Sequence, residues 1–344
     1  MNHNWEYKPF NLIANTITPK TKVDKSEYLQ NGNIPIISQE ESFISGYWNN
    51  PDDITPISND VIIFGDHSRV VKYVDFGFVV GADGVKIISP KECISPRFLY
   101  HFLKWYDVPS LGYARHFKLV KEAIYPVPPM QVQQQIVTEL DKINKVIEDC
   151  RELLRSLDAL AQSLFYNFFG DPITNPKDWE TKPFEDCICK VKYPSKLNTN
   201  EYAPSGAYPI VSQEENLVCG YTDRFDCLFA IPKPIVVFGD HTRCLKYIDF
   251  DFTLGADGVK ILCPINSIST RYFYYALLLF KIPSLGYSRH YKLLKELNIP
   301  VPPLHLQEKF SARIEQIELQ KKAVKQTIAE LQTLLNSRMD YWFN

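Results

Sequence analysis

The sequence predicts an α+β protein of two pseudo-twofold-related, mostly β lobes, joined by two long helices that pair as an antiparallel coiled coil. Three observations support this class. The chain repeats itself at a constant offset, each repeat begins with short β-rich segments, and each ends in a heptad helix. With 344 residues and 45% hydrophobic content, the chain is long enough for two cores of ordinary size.

The repeat becomes visible when 174 is added to residue numbers in the first half. Residues 64–90 match residues 238–264 at 18 of 27 positions, and the alignment needs no gap. Because this unit exceeds the roughly 20 to 50 residues of a solenoid repeat, each copy is expected to be a domain plus its connector. Similar helices that leave similar lobes predict a twofold relation, with antiparallel helices and the lobes at opposite ends.

The pattern changes in the same way along each copy. Residues 34–37 and 61–64 are typical of short strands, and Asp83-Gly84, repeated at 257–258, is typical of a tight hairpin turn. Ser95-Pro96 and its counterpart Ser269-Thr270 indicate the start of a helix. The predicted domains are a first lobe over 1–130, a central helix over 131–169, a second lobe over 170–304 and a C-terminal helix over 305–344.

Apolar residues in both long helices recur in alternating steps of four and three, as they do in coiled coils. Lys321 and Arg338 interrupt this pattern in the second helix. The alternative is a surface helix that packs only on its own lobe. The residues predicted to pair the helices are Leu140, Ile143, Ile147, Leu154, Leu157, Ile314, Ile317, Ile328 and Leu331.

Composition excludes several classes of protein. No apolar run approaches the ~18 residues that span a bilayer, and the first residues lack a secretory signal, so we expect a cytoplasmic protein with no membrane partner. The eight cysteines do not have zinc-ligand spacing and are expected to be reduced thiols. A net charge of −2 argues against non-specific DNA coating, so any DNA contact must come from local basic clusters.

Catalytic motifs were sought and none was found. The sequence has no glycine-rich phosphate loop, metal-binding histidine pair or serine nucleophile elbow. Asp66-His67, repeated at 240–241, has acid/base groups, and Asp83 with Lys86 weakly resembles a nuclease set, but neither spacing completes a site. A turn after a strand is the simpler interpretation of Asp66-His67. We therefore predict no catalytic residues, no metal site and no cofactor in this chain.

Polar, aromatic and basic segments recur in both copies, 65–73 as 239–247 and 111–118 as 285–292. Arg, Lys, Ser, Thr and His bond phosphates and base edges, and glycine lets a backbone come close. We predict that these segments face DNA; the alternative is that they are only duplicated folding elements. The predicted DNA-binding residues are Gln39, His67, Ser68, Arg69, Lys72, Tyr113, Arg115, His116, Lys118, Gln213, His241, Thr242, Arg243, Lys246, Tyr287, Arg289, His290 and Lys292.

Two segments differ between the copies while the loops around them match. They are 13–31 against 187–205 and 48–60 against 222–234. These segments are candidates for reading different bases in the two lobes.

The start of each long helix carries a recognisable string, YPVPPMQVQQQI at 125–136 and IPVPPLHLQEKF at 299–310. Both resemble the Pro-Pro-Leu-x-x-Gln junction between target recognition domain and spacer helix in specificity subunits of type I restriction-modification systems. The similarity covers the whole chain in the order lobe, helix, lobe, helix. The family often has Glu directly before the Gln, where this chain has Val132 and Leu306.

The resemblance implies that each lobe is a target recognition domain for one half of a split double-stranded DNA site. It implies helices that set the gap and dock DNA methyltransferase (modification) subunits, and restriction subunits that cleave. S-adenosylmethionine and Mg²⁺ are expected on those partners. The chain is also similar to the separate specificity subunit of type IIB enzymes, whose partner is a fused nuclease-methyltransferase. Two alternatives are a coiled-coil adaptor that binds protein and a stand-alone enzyme.

Overall fold

The structure is a computed structural model that describes residues 5–82, 84–112, 114–192, 195–256, 258–286 and 288–344. These residues form two compact units. The first contains the described residues up to Arg151 together with Lys325–Asn344, and the second is Glu152–Val324. Four residues named above lie outside the described residues: Asp83 and Asp257 of the predicted hairpin turns, and Tyr113 and Tyr287 of the predicted DNA contacts.

The first repeat forms small sheets with short helices between them. Its strands are β1 (Glu6–Pro9), β2 (Ala14–Ile17), β3 (Lys22–Val23), β4 (Ile34–Ile37), β5 (Gly46–Trp48), β6 (Val61–Gly65), β7 (Val71–Val74), β8 (Val79–Gly81), β9 (Val85–Pro90) and β10 (Ile124–Val127). Its helices are α1 (Phe10–Ile13), α2 (Pro96–Tyr106) and α3 (Phe117–Glu122), with 3₁₀ turns at Lys25–Glu27 and Pro51–Asp53. The sheet orders are β1-β10, β2-β9-β6-β7 and β3-β8-β4-β5.

The second repeat has closely similar elements. Its strands are β11 (Thr181–Pro183), β12 (Ile188–Cys189), β13 (Tyr208–Val211), β14 (Gly220–Thr222), β15 (Leu228–Phe229), β16 (Ile235–Gly239), β17 (Leu245–Ile248), β18 (Phe252–Leu254), β19 (Val259–Pro264) and β20 (Asn298–Pro300). Its helices are α5 (Thr270–Leu279) and α6 (Tyr291–Lys295), with 3₁₀ turns at Phe184–Cys187, Thr199–Glu201 and Phe225–Cys227. The sheet orders are β11-β20, β12-β19-β16-β17 and β14-β13-β18-β15.

Two long helices complete the chain, α4 (Met130–Phe169) before the second repeat and α7 (Leu304–Phe343) after it. Each compact unit contains part of both. The predicted mixed helix-and-strand class, with two repeated domains and long helices, is confirmed. The strands predicted at 34–37 and 61–64 are β4 and most of β6, and α2 begins at Pro96 as its proline predicts.

The core of the first unit lies between α2, its neighbouring sheet and the ends of the long helices. The apolar face of α2 buries Phe98 and Phe102 against β6 and β9, as expected for an amphipathic helix. The C-terminal end of α7 closes this core, because the Phe343 ring lies 5.5 Å from the rings of Phe102 and Trp105. In the second unit the end of α4 does the same, and the Phe169 ring lies 4.7 Å from that of Tyr272.

Most residues predicted to pair the helices lie in these cores. In the first unit Leu140 and Ile147 are buried, and Ile143, Ile328 and Leu331 pack against them; in the second unit Leu157, Ile314 and Ile317 are buried. Leu154 is half-exposed and belongs to neither cluster. Within the second unit the helices run antiparallel, because moving along α4 from Asp158 to Phe168 takes the contact on α7 back from Lys321 to Phe310.

The charged residues that interrupt the heptad pattern form ion pairs between the helices. Arg338 binds Glu139 within the first unit, and Lys321 lies 2.8 Å from Asp158 within the second. Although burial opposes the charge of Lys321, the carboxylates of Asp158 and Glu318 raise its pKa. Charged residues at these positions therefore have partners across the helix pair and do not prevent packing.

Candidate nucleic-acid interface

Four connections of the first lobe meet at one end of its sheets: 38–45 after β4, 66–70 after β6, Ala82 and Gly84 after β8, and the described residues between α2 and α3. The parallel strands β4 and β8 both point to this end, so their following loops are neighbours. We call this end of each lobe the loop end. It contains most of the residues that the sequence predicts to contact DNA.

Asp66 joins three of these loops and is only 2% exposed. Its backbone N–H donates to the carbonyl of Gly84 (2.6 Å), and its own carbonyl accepts from the N–H of His116 (2.8 Å). Its carboxylate accepts from the N–H of Phe117 (2.8 Å) and lies 3.6 Å from the ammonium of Lys86. These contacts support the turn interpretation of Asp66 and assign it a positioning role.

The His116 ring holds the 107–116 connection against Asp66. The Leu111 N–H donates to Nε2 (2.9 Å), so Nε2 carries no proton, and Nδ1 donates to the carbonyl of Asp66 (2.9 Å). The ring is therefore the neutral Nδ1–H tautomer, and the residue is 1% exposed. Both ring nitrogens are occupied by the backbone.

Gln39 and Lys72 hold the 38–45 loop. The side-chain oxygen of Gln39 accepts from the N–H of His67 (3.1 Å), and its carbonyl accepts from the hydroxyl of Ser68 (2.6 Å). Lys72 is 4% exposed and its ammonium donates to the carbonyls of Ser38 (2.9 Å) and Ser42 (2.5 Å). Burial of this ammonium lowers the pKa of Lys72 to about 8.

Gly84 shows why this arrangement needs a glycine. Its φ is +87°, and a Cβ atom there would lie 2.5 Å from the side-chain nitrogen of Gln39. A larger residue would meet both backbone strain and a clash.

The second lobe repeats these hydrogen bonds with distances that agree within 0.1 Å for the pairs compared. Its loop end is therefore a second copy of the same construction. The residues concerned are Gln213, Asp240, His241, Thr242, Gly258, Leu285, His290 and Tyr291.

Burial divides the predicted DNA-binding residues into two groups. A buried side chain whose polar atoms already have partners cannot contact a duplex at the surface unless its loop moves. For such residues the structure supports a role in loop positioning. They are Lys72, His116, Lys246 and His290.

Arg69 has a left-handed backbone conformation, and its guanidinium makes a hydrogen bond within the lobe. Its φ is +62°, uncommon for a residue with a side chain, and its guanidinium donates to the carbonyl of Val108 (2.9 Å). Arg243 repeats both features, with φ +63° and a bond to the carbonyl of Ile282 (3.0 Å). Each arginine thus links the 65–70 turn, or its counterpart, to the end of the helix before the loop.

The remaining predicted residues give the loop end its exposed polar surface. Arg115, Lys118, Arg289 and Lys292 are exposed cations, and His67, Ser68 and Thr242 are exposed polar groups beside them. Gln39, Gln213 and His241 are half-exposed. A ligand could approach the four cations without displacing the loops.

The predicted DNA contacts omit two further lysines in each lobe, one of which, Lys86, was considered only with Asp83 as a nuclease-like set. Lys86 and Lys121 lie 6.0 Å and 5.4 Å from the centre of the Phe117 ring. Lys260 and Lys295 repeat them around Tyr291, at 5.3 Å and 5.7 Å. Their recurrence at the 174 offset was the available signal. Lys86 and Lys295 also lie near carboxylates, 3.6 Å from Asp66 and 2.7 Å from Glu185.

The Gln of the Pro-Pro string connects lobe and helix. Gln133 is completely buried: its side-chain oxygen accepts from the N–H of Ser95 (2.7 Å), and its nitrogen donates to the carbonyls of Cys93 (3.0 Å) and Pro128 (2.9 Å). Gln307 makes the equivalent three bonds in the second unit. This residue therefore ties the first turn of each long helix to the start of α2 or α5.

Within the part of the chain that the structure describes, no group of three or more His, Cys, Asp or Glu side chains is arranged to hold a metal ion. In the same residues, no helix is both long and apolar enough to cross a membrane.

Comparison with known proteins now adds to this geometry. The model of the type I restriction modification DNA specificity domain matches residues 2–155 and again residues 176–333. The chain belongs to this family. The expected resemblance, which rested on the junction strings and the repeat, is thereby confirmed.

Several relatives carry corresponding names. A Haemophilus influenzae protein assigned as the type I restriction enzyme specificity subunit S.HindORF215P is 28% identical over 155 residues, which are 42% of this chain and 38% of that protein. The MjaIX specificity subunit of Methanocaldococcus jannaschii is 25% identical over 283 residues, 67% of this chain and 64% of its own. The matches thus span less than two thirds of these relatives.

Solved structures share the fold. The S subunit of a type I restriction-modification system from M. genitalium matches 98% of this chain and 96% of its own, with a TM-score of 0.63 and 15% identity. A chain from a structure concerned with complex assembly and conformational transition of the type I system matches with a TM-score of 0.52 and 16% identity.

Proposed function

We propose that this chain is the DNA-reading specificity subunit of a restriction-modification complex and has no catalytic activity of its own. Each lobe binds one half of a split double-stranded site through its loop end. The observation that carries this proposal is the duplicated loop end: one chain contains two copies with the same hydrogen bonds and the same exposed cations. Two equivalent readers in one chain suit a target with two halves.

The long helices would set the distance between the half-sites. At ~1.5 Å per residue, the 40 residues of α4 measure about 60 Å, comparable to ~18 base pairs at ~3.4 Å each. The helices would also dock DNA methyltransferase subunits, which supply S-adenosylmethionine and methylate the site. Restriction subunits, or a fused nuclease-methyltransferase in a type IIB setting, would supply Mg²⁺-dependent cleavage. The names of the relatives, specificity subunits of type I restriction enzymes, support this assignment of partners.

Binding to DNA selected from a random pool, with the modification subunit present, tests the loop end. If the arginine binds a phosphate, Arg115→Ala and Arg289→Ala should each reduce the slope of the logarithm of the binding constant against the logarithm of salt concentration by about one. If the arginine instead reads a base, binding should weaken by ~1–3 kcal/mol. Lys20→Ala is the matched control, because Lys20 is an exposed cation of the first lobe that lies away from the loop end and donates to the carbonyl of Asp52.

Parental binding by both arginine variants across the salt range, or a loss confined to the Lys20 variant, would overturn the assignment of the loop end. The proposed absence of catalysis has its own assay. The homogeneous chain, incubated with DNA, Mg²⁺ and S-adenosylmethionine, should neither methylate nor cut, and activity should arise only when partner subunits are added. Methylation or cleavage by the chain alone would refute that part of the proposal.

A further inference from the structure

If both lobes bind DNA through the same loop end, residues near that end must distinguish the base sequences of the two half-sites. The shared contacts cannot do so, because they are the same in both lobes. The divergent segments are therefore the place to search, and strand direction shows where each one lies. β5 is antiparallel to β4, so it runs away from the loop end and places residues 49–60 at the opposite end. There the N–H of Thr55 donates to the carbonyl of Phe78, just before β8.

One part of the other divergent segment does reach the loop end. β3 is parallel to β8, so the 3₁₀ turn Lys25–Glu27 that follows it lies beside Ala82, which follows β8. The N–H of Ala82 donates to the carbonyl of Val23 (2.7 Å), directly before this turn. Lys25 also binds the carboxylate of Glu40 in the 38–45 loop. This turn is thus adjacent to the shared contacts.

The turn has the same construction in both lobes. In the first, the Asp24 carboxylate accepts from the N–H of Ser26 (2.9 Å), and the Glu27 carboxylate accepts from the N–H of Asp24 (3.3 Å). In the second, Asn198 and Glu201 form the same capping box over Thr199–Glu201. Arg224, which has no counterpart in the first lobe, also donates to Glu201 (2.9 Å). A common backbone therefore presents different side chains.

Those side chains differ in the chemistry that reads bases. Asp24-Lys25-Ser26 in the first lobe corresponds to Asn198-Thr199-Asn200 in the second, and all six residues are exposed. Lysine suits the acceptors of guanine and asparagine pairs with adenine, whereas a carboxylate accepts from cytosine. The Lys25–Glu40 ion pair is exposed and thus weak, so DNA could compete for the lysine.

We propose that residues 24–26, the cap and first two residues of the 3₁₀ turn, and their counterparts 198–200 determine which bases each lobe prefers within otherwise similar half-sites. This inference rests on the proposed function and assigns specificity to named residues within it. Residues 42–44 and 216–218 also differ near the loop end, but two of their three changes replace one apolar residue by another. The 24–26 turn changes both charge and hydrogen-bonding groups.

The duplicated chain allows the turn of one lobe to be transplanted into the other. The variant Asn198→Asp, Thr199→Lys, Asn200→Ser gives the second lobe the turn of the first without a change in length. Sites selected from random DNA by the variant with its modification subunit should change in the second half-site only. That half-site should become more similar to the inverted first one, and binding to the parental site should weaken about 5- to 150-fold.

Two further variants separate the possible outcomes. Pro232→Ser introduces the residue found at position 58 of the first lobe; Pro232 is exposed and precedes β16 at the end opposite the loop end, so this variant should leave both half-sites unchanged. Exchange of 216–218 for the residues at 42–44 tests the neighbouring loop. An unchanged second half-site in the triple variant, or a change in the other two variants alone, overturns the assignment of the turn. If the parent chain selects no sequence at all, the proposed function itself fails.

Discussion

The loop ends of the two lobes are nearly identical, whereas the contacts between each lobe and its long helix differ. In the first unit Asp141 of α4 lies 2.8 Å from the Nε2 of His101 and 3.0 Å from the Nε of Arg97. In the second unit the corresponding contact is made by Tyr275, whose hydroxyl donates to Glu318 of α7 (2.9 Å). The two repeats thus keep the same hydrogen bonds at the loop end but use different polar side chains at this contact between lobe and long helix.

The difference follows from how deeply each carboxylate is buried. At the loop end the Asp66 carboxylate accepts from the buried N–H of Phe117, so losing it would leave an unpaired donor that costs about 1–3 kcal/mol. At the helix junction the Asp141 side chain is 33% exposed, so water can replace a lost partner. A buried carboxylate must therefore be kept with its partner, whereas a half-exposed one can be exchanged for another group.

Replacing the terminal aromatic rings should break the equivalence of the two units most strongly. Phe169→Ala removes a ring that is 3% exposed and packed against Tyr272 and Phe310, and should cost about 3–5 kcal/mol of unfolding free energy. Phe343→Ala removes its counterpart, but should cost less because Phe343 is 7% exposed and its nearest ring centres, at 5.5 Å, are farther away than the 4.7 Å between Phe169 and Tyr272. Urea denaturation measures both. Phe225→Ala, at a ring 72% exposed, is the control and should be nearly neutral.

An equal loss for Phe169→Ala and Phe343→Ala would show that the longer ring distances around Phe343 do not weaken its packing. The two helix ends would then be energetically equivalent.

One part of the lobe–helix junction is the same in both units, namely the three hydrogen bonds made by Gln133 and by Gln307. Replacing either by Leu removes three hydrogen bonds and leaves the N–H of Ser95 or Ser269 without its acceptor, so each should cost about 2–3 kcal/mol. Hydrogen exchange of α2 and α5 amides, compared with urea denaturation, measures where the loss occurs. Gln131→Leu, at an exposed position of α4, should change little. A neutral effect at Gln133 or Gln307 would mean that these bonds do not anchor the helix.

Acid should affect the two junctions differently, with the smallest expected effect. Although burial opposes its charge, hydrogen bonding to His101 and the charge of Arg97 hold the pKa of Asp141 below its usual value. The folded-state pKa is depressed, so this stabilisation is present above the unfolded value of 3.8 and is lost as pH falls through the lower folded value. Urea denaturation from about pH 5 to about pH 2 should show a steeper loss below pH 3.8 in the parent than in Asp141→Asn. Identical slopes would rule out this contribution.

The fold was largely predictable because its signals are local in sequence. The 174 offset, the β-rich segments and the heptad spacing can each be read without knowing any contact between distant residues. Leu154 shows the limit, because the heptad pattern places it on the seam and the structure leaves it half-exposed. Whether a seam residue is covered depends on where the facing helix approaches.

The site was less predictable, for a physical reason. Lys72 and His116 have the chemistry of DNA-binding residues, and their sequence neighbours do not show that they are buried. Their burial depends on carbonyls about 30 to 50 residues away in sequence, at Ser38 and Asp66. Lys86 and Lys121 were not predicted as DNA contacts although they recur in the second copy, because the position of Lys86 beside the distant Phe117 is visible only in three dimensions.

The discontinuity of the first unit has a consequence for synthesis on the ribosome. Leu335 and Phe343 belong to the core of the first unit, yet they are translated after the whole of the second unit. The second unit is one continuous stretch, Glu152–Val324, and precedes them in the chain. The first unit therefore cannot complete its core until the second has been translated, and a nascent chain that stops before Lys325 contains every residue of the second unit but only part of the first.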